Sequence, residues 1–108
     1  MIKEITRNAN TITIETDFYT FGGKALAVTY DLRKQSFTDN GLTFDNCHKS
    51  DADSYAIKYF LHHSFVDYKT NAICFAGDYT KENLEHFISD LYNADHYIRT
   101  ADGYADHL

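Results

Sequence analysis

The stretch LAVTYDLR, residues 26–33, has the most regular alternation of apolar and polar side chains in the chain. Its apolar side chains recur at every second position: Leu26, Val28, Tyr30 and Leu32. Successive side chains of a strand point to opposite faces of a sheet, so this pattern predicts a strand with one buried and one exposed face.

The sequence on both sides of this stretch also favours strands. Residues 11–16 (TITIET) alternate in the same way, and residues 2–6 predict an earlier strand. Turn-forming residues separate the strands, at Asn8-Ala9-Asn10, at Gly22-Gly23 and at Asp39-Asn40-Gly41. We read the last turn as a hairpin flanked by Phe37 and by residues 42–44. Residues 1–46 therefore predict a meander of three or four antiparallel strands.

The second half of the chain predicts two helices and one buried strand. Ser50, Asp51 and Asp53 resemble a helix start, and helical spacing of apolar residues follows, which predicts a helix at about 51–64. A turn at residues 69–71 leads into AICFA, residues 72–76, a short apolar run that predicts a buried strand. Thr80 can cap a last helix at about 81–102, which we expect Gly103 to end.

These elements predict an α+β fold. We expect one domain, residues 1–108, in which an antiparallel sheet of four to five strands packs against two helices. Such a length suits a single domain with its own core.

An apolar stripe runs along the last helix at spacings of three and four residues, from Leu84 to Leu108. Small residues on it would let another backbone approach closely. We therefore consider a homodimer seam made of five residues: Leu91, Ala94, Ile98, Ala101 and Ala105.

The negative charge is concentrated at the end of the chain. The formal net charge is −6, and residues 78–108 contain seven acidic side chains against two basic ones, a net charge of −5. Direct nucleic-acid binding needs a basic face, so this distribution disfavours it and favours a basic partner. We predict a partner-binding surface of acidic and Tyr side chains: Glu85, Asp90, Tyr92, Asp95, Tyr97, Asp102, Tyr104 and Asp106.

Candidate chemistry is sparse. Glu82, His86 and Asp90 share a helix face at spacings of four residues and are weak candidates for metal ligands. Cys47 and Cys74 are candidate thiol nucleophiles, but no catalytic motif, phosphate loop or metal motif surrounds them. We therefore expect no catalytic residue, no bound metal and no cofactor.

The chain also has no apolar segment of the ~20 residues that a membrane span needs, and its start has no signal-peptide pattern. Two cysteines do not make a disulfide framework. We expect a protein of the reducing cytoplasm with no membrane partner.

Small, acidic, Tyr-rich chains without catalytic motifs are typical of phage or mobile-element proteins that inhibit host defence, such as anti-CRISPR and anti-restriction proteins. By this compositional analogy we expect a protein that is not an enzyme and that occludes the basic surface of a nucleic-acid-binding complex. Two alternatives stay open: a homodimeric interaction module without an inhibitor role, and a metal-dependent hydrolase that uses the His and Asp side chains.

Overall fold

The computed structural model describes residues 2–20, 23–44 and 61–105, with side chains as far as Ile98. These residues form an α+β fold, as predicted. Its elements are β1 (Ile2–Arg7), β2 (Thr11–Tyr19), β3 (Ala25–Asp31), β4 (Ser36–Thr38), β5 (Phe65–Asp67), β6 (Ala72–Ala76) and α1 (Lys81–Ala105). The six strands make one antiparallel sheet in the order β1-β2-β3-β4-β6-β5.

The N-terminal meander is confirmed. In β2 and β3, Ile14 lies opposite Val28 and Ile12 opposite Tyr30, so the apolar faces of the two strands coincide. All four side chains are buried. The alternation in the sequence therefore corresponds to the face of the sheet that helix α1 covers, while Thr13 and Thr29 pair on the other face.

The turn at residues 39–41 is confirmed, but the hairpin is not. Asn40 and Gly41 have positive φ angles of 58° and 78°, a conformation that Asn and Gly adopt readily. The chain then continues as a turn through residues 42–44, where a strand was expected. The N–H of Leu42 donates to the carbonyl of Asp39, and the carboxylate of Asp39 accepts from the N–H groups of Gly41 and Thr43. These bonds curl the backbone, so β4 pairs with the later strand β6.

The sheet has one strand more than predicted. Strand β5 is only three residues long, and it pairs with β6 at the edge of the sheet. The helix expected at 51–64 falls mostly on residues outside those described. Its last four positions, 61–64, are described and are not helical; the N–H groups of His62 and His63 donate to the carboxylate of Asp90.

Helix α1 begins as predicted and ends later. The side-chain oxygen of Thr80 accepts a hydrogen bond from the N–H of Asn83 at 3.1 Å, which caps the first turn. The helix passes through Gly103 to Ala105, although we expected it to end at 102. A glycine costs about 1 kcal/mol in a helix interior. That cost is tolerable between alanines 101 and 105, because Ala has the highest helix propensity. None of the helical residues described makes a segment long and apolar enough to cross a membrane.

The core lies between α1 and one face of the sheet, and aromatic rings form its centre. Phe37 of β4 is fully buried. Its ring lies 4.6 Å from the ring of Tyr30, 5.8 Å from that of Phe75 and 5.6 Å from that of Phe87, measured between centroids. These four rings therefore connect β3, β4 and β6 to the helix.

Candidate partner-binding surface

Two of the predicted partner-binding residues are buried. Asp90 and Asp95 of α1 are 1% and 2% exposed, although we expected both on an acidic surface. A carboxylate shielded from solvent cannot approach a partner, so both residues are removed from the predicted surface.

Asp90 instead holds a loop against the helix. Its two carboxylate oxygens accept hydrogen bonds from the N–H groups of His62 and His63, at 3.1 and 2.9 Å, and from the hydroxyl of Ser64 at 2.7 Å. A buried carboxylate needs such donors, since burying an unpaired charge is costly. The chemistry at Asp90 is therefore that of a structural anchor between residues 62–64 and α1.

The remaining residues of the predicted surface are placed as follows. Glu85 and Tyr92 are exposed on α1, and Tyr92 is 57% exposed. Tyr97 is half-buried and packs against the core. Asp102 and Tyr104 belong to the helix, with side chains outside the described set, and Asp106 lies outside the described residues. Partner binding by Glu85, Tyr92, Tyr97, Asp102, Tyr104 and Asp106 stays a prediction.

The predicted dimer seam is largely part of the chain's own core. Leu91 and Ala94 are fully buried and Ile98 is 5% exposed, all within the core cluster. Their face of α1 is covered by the sheet, so it cannot also form an open seam. The side chains of Ala101 and Ala105 are outside the described set.

The weak metal candidates are not brought together as a ligand set. Within the described residues, no group of three or more His, Cys, Asp or Glu side chains is arranged to hold a metal ion. Glu82 is exposed and Asp90 binds the loop. The ring of His86 stacks on the ring of His63, with centroids 4.4 Å apart and planes 9° from parallel.

The described cysteine is a poor candidate nucleophile. Cys74 is half-buried on β6, and burial raises the pKa of its thiol. A raised pKa lowers the fraction of thiolate, which is the reactive form. Cys47 lies outside the described residues.

An open groove, which we call the acid-rimmed groove, lies between the sheet and α1. Its volume is about 910 Å³. The described residues that line it are Ile2, Asp17, Phe18, Leu26, Glu85, Ile88, Ser89 and Tyr92. Most of its lining is apolar, and one carboxylate comes from each wall. Glu85 and Tyr92 belong to the binding surface predicted from the sequence, whereas the residues on the strand side of this groove do not.

A bulge in β2 forms the strand wall. The pairing of β2 with β3 is regular to Glu15 and resumes at Tyr19, so the intervening residues are displaced from the ladder. The hydroxyl of Thr16 donates to the carbonyl of Leu26 at 2.9 Å and accepts from the N–H of Phe18 at 3.2 Å, which fixes the bulge. Bulges redirect side chains, and this one leaves Asp17 exposed beside the half-buried Phe18.

The helix wall of the groove is formed by residues whose spacing puts them on one face of α1. Glu85, Ser89 and Tyr92 are separated by four and three residues, so they share one face of α1. The rings of Tyr92 and Phe18 approach to 5.4 Å between centroids and connect the helix wall to the strand wall. Glu85 is also 3.9 Å from the ammonium of Lys81, in a pair whose side chains are 62% and 91% exposed. An ion pair this exposed is weak, so the carboxylate can exchange Lys81 for another cation.

Comparison of the chain with protein-family models, curated proteins and solved structures gave no match.

Proposed function

We propose that the protein is a small acidic interaction protein that binds a basic nucleic-acid-binding protein and blocks its nucleic-acid surface. By compositional analogy, we propose an inhibitor of the anti-CRISPR or anti-restriction type from a phage or mobile element. The net charge of −6 supports attraction to a basic surface, since complementary charge speeds and orients protein association.

The acid-rimmed groove is the observation that carries the proposal. Charge alone gives weak contacts that salt screens, whereas anchoring requires apolar and aromatic side chains that become desolvated. The groove combines both features: Tyr92 is exposed above a mainly apolar lining, and Asp17 and Glu85 flank it. Tyr is enriched at such anchoring positions because it buries a large area with little loss of side-chain freedom.

The proposed mechanism is occlusion. The acid-rimmed groove docks on the partner, and the acidic body of the protein then lies where nucleic-acid phosphates would bind. Phosphate contacts supply much of a protein's affinity for nucleic acid, so covering even a few of the basic residues that make them would weaken that binding strongly.

A pull-down from bacterial lysate with mass spectrometry tests this proposal. The wild type is compared with a double variant at the groove, Asp17→Lys with Glu85→Lys. The control double variant, Asp78→Lys with Glu82→Lys, makes the same charge change at exposed positions that do not line the groove. We expect one nucleic-acid-binding protein to be captured by the wild type and the control and lost by the groove variant.

The captured protein should also release its nucleic acid when the wild type is added, in a gel-shift experiment at physiological salt. Equal capture by all three proteins would show that the groove is not the contact. Capture without displacement of nucleic acid would contradict occlusion.

Self-association is a second candidate function, and the edge of the sheet favours it. Within the described sheet, β1 pairs on one side only, and its apolar residues Ile2 and Ile5 are 45% and 53% exposed. Unpaired strand edges are templates for pairing with another chain. Sedimentation of the wild type and of Ile5→Lys tests this candidate: a dimer that the substitution dissociates supports it, and a monomeric wild type removes it.

The metal-dependent hydrolase is not carried further, because Asp90 is committed to the loop at residues 62–64.

A further inference from the structure

We propose that the acid-rimmed groove binds an arginine side chain presented by an apolar segment of the protein partner. This inference deepens the function proposed above and rests on it. It names the chemistry of the contact, which neither the charge nor the fold specifies.

The aromatic rings provide the surface on which a guanidinium can stack. Tyr92 is 57% exposed, and its ring is supported from the strand side by Phe18 at 5.4 Å. The face of an aromatic ring carries negative potential, and Arg is the cation most often found over such faces. Because Phe18 holds the Tyr92 ring from one side, the exposed part of that ring is positioned before a ligand arrives.

The carboxylates provide the charge. Asp17 lies on the β2 wall and Glu85 on the α1 wall, and the described lining residues include no Lys or Arg. The nearby Lys81 reaches Glu85 only through an exposed contact of 3.9 Å. A cation that enters between the walls therefore meets one carboxylate from each element; Lys3 lines an adjoining pocket together with Asp17, and Ser89 adds a hydroxyl that can accept a hydrogen bond.

The apolar lining selects arginine among cations. A metal ion prefers several oxygen or nitrogen ligands and gains nothing from an exposed apolar side chain such as Ile2. A Lys ammonium is compact and strongly hydrated, whereas a guanidinium is planar, more weakly hydrated and able to pair with carboxylates while it stacks on a ring. The methylene stem of Arg can cover the apolar lining at the same time.

The same chemistry connects the groove to the proposed partner. Arg is the side chain that proteins favour for planar, bidentate contacts to phosphate. A groove that captures Arg would therefore remove a phosphate contact directly, which goes beyond covering the surface around it.

A titration of the full chain, followed by ¹⁵N–¹H correlation spectra, tests the inference. The probe is a synthetic peptide that contains one Arg between two Leu residues. Two matched peptides replace the Arg with Lys or with citrulline, its neutral isostere. We expect the Arg peptide to shift the amide signals of Asp17, Phe18, Ser89 and Tyr92, the Lys peptide to bind more weakly, and the citrulline peptide to bind at least about tenfold more weakly.

Variants of the protein locate the contact. Tyr92→Ala and Glu85→Gln should each weaken binding of the Arg peptide by about threefold or more. Tyr68→Ala and Glu82→Gln change exposed side chains that do not line the groove and should leave binding unchanged. All four positions are on the surface, and circular dichroism confirms that each variant is folded.

Three results would overturn the inference. Equal binding of the Arg and citrulline peptides would make the groove a simple apolar site. The absence of shifts at the groove with millimolar Arg peptide would place any partner contact elsewhere, and the proposed function would still stand if the lysate pull-down captured its partner. A wild-type dimer with the groove buried at its interface would assign the groove to a second copy. Conversely, Arg-selective binding with no captured nucleic-acid-binding protein would keep the site and reject the proposed function.

Discussion

The residue type of Asp90 predicts an exposed side chain, but its carboxylate is buried, and its hydrogen bonds explain why. Replacing Asp90 with Ala would leave the N–H groups of His62 and His63 and the hydroxyl of Ser64 without their acceptor. Each unsatisfied buried group costs about 1–3 kcal/mol, with partial relief if the loop opens to water. We expect Asp90→Ala to lower the free energy of unfolding by roughly 2–5 kcal/mol in chemical denaturation.

Hydrogen exchange separates this anchoring role from a general loss of stability. In Asp90→Ala, the amides of His62 and His63 should exchange much faster relative to the amides of β2 and β3. Glu85→Ala on the same helix is the control and should change stability by less than about 0.5 kcal/mol, because its carboxylate is exposed. A small effect of Asp90→Ala would show that the loop is held by other contacts.

Asp39 gives a prediction about pH. Burial raises the pKa of its carboxyl above the ordinary value of 3.8, and hydrogen bonds from Thr43, Ile73 and Gly41 partly oppose that rise. A folded-state pKa above the unfolded one favours the neutral acid in the folded state. The stability that the neutral carboxyl of Asp39 contributes is therefore fully present below the ordinary pKa and is lost as pH rises through the raised pKa.

The test compares Asp39→Asn with the wild type by denaturation at several pH values from 3.8 upward. The variant leaves the N–H of Thr43 facing an amide nitrogen, so at the lowest pH it should be less stable by about 1–3 kcal/mol. This difference should shrink as pH rises, because only the wild type then carries the cost of a buried charge. A difference that grows with pH would mean that the hydrogen bonds outweigh burial.

Spacing could have revealed both buried acids. Asp95 follows Leu91 by four residues and precedes Ile98 by three, and Asp90 follows Phe87 by three and precedes Ala94 by four, so helical geometry alone places both beside the apolar stripe. We predicted exposure from the residue type and gave less weight to the position. The hydrogen-bond donors to Asp90 had no such signal, because they lie 26 to 28 residues earlier in the chain. Contacts between distant segments are what a single sequence leaves undetermined.

At the scale of elements, a strand could be predicted only where its pattern of apolar residues was long enough. The seven residues of β3 and the five of β6 carry enough alternation or apolar content to be recognised. The three residues of β5 do not, and this strand exists because its backbone pairs with β6. The acid-rimmed groove depends on a bulge in β2, and a bulge is set by pairing with β3, which the sequence of β2 does not show.

Helix α1 offers a test of whether its apolar stripe is core or seam. Ala94 is fully buried, so Ala94→Leu would force a larger side chain into a packed core and should cost about 1–3 kcal/mol of unfolding free energy. Because the stripe packs on the chain's own sheet, the unfolding midpoint should not change with protein concentration. Glu82→Leu, an exposed change on the same helix, is the control. A concentration-dependent midpoint that persists in Ile5→Lys, in which pairing through the edge of β1 is removed, would favour a seam instead.

At the scale of the whole molecule, two neighbouring faces of α1 have different roles, one in the core and one in the acid-rimmed groove. One face carries the residues that close the core, and the next carries Glu85, Ser89 and Tyr92 of the acid-rimmed groove. The six strands hold these faces in place through β2, which contributes to both the core and the groove. Substitutions in the core, including the lining residues Leu26 and Ile88, should therefore disturb binding through the fold, whereas substitutions of the exposed lining residues Asp17, Glu85 and Tyr92 should change binding alone.

The net charge of the protein predicts how partner binding depends on pH. The protein carries a formal charge of −6 with its six His neutral, and its isoelectric point is near 5.3. As pH falls toward that value, the protein loses the negative charge that attracts a basic partner and keeps its own molecules apart. Capture of the partner from lysate should therefore weaken from neutral pH to pH 5.3, and light scattering should show more self-association. Salt added at neutral pH is the control, because it screens the attraction without changing protonation, and it should weaken capture in the same way. If capture resists both acid and salt, complementary charge does not drive the association, and the apolar part of the groove must supply the affinity.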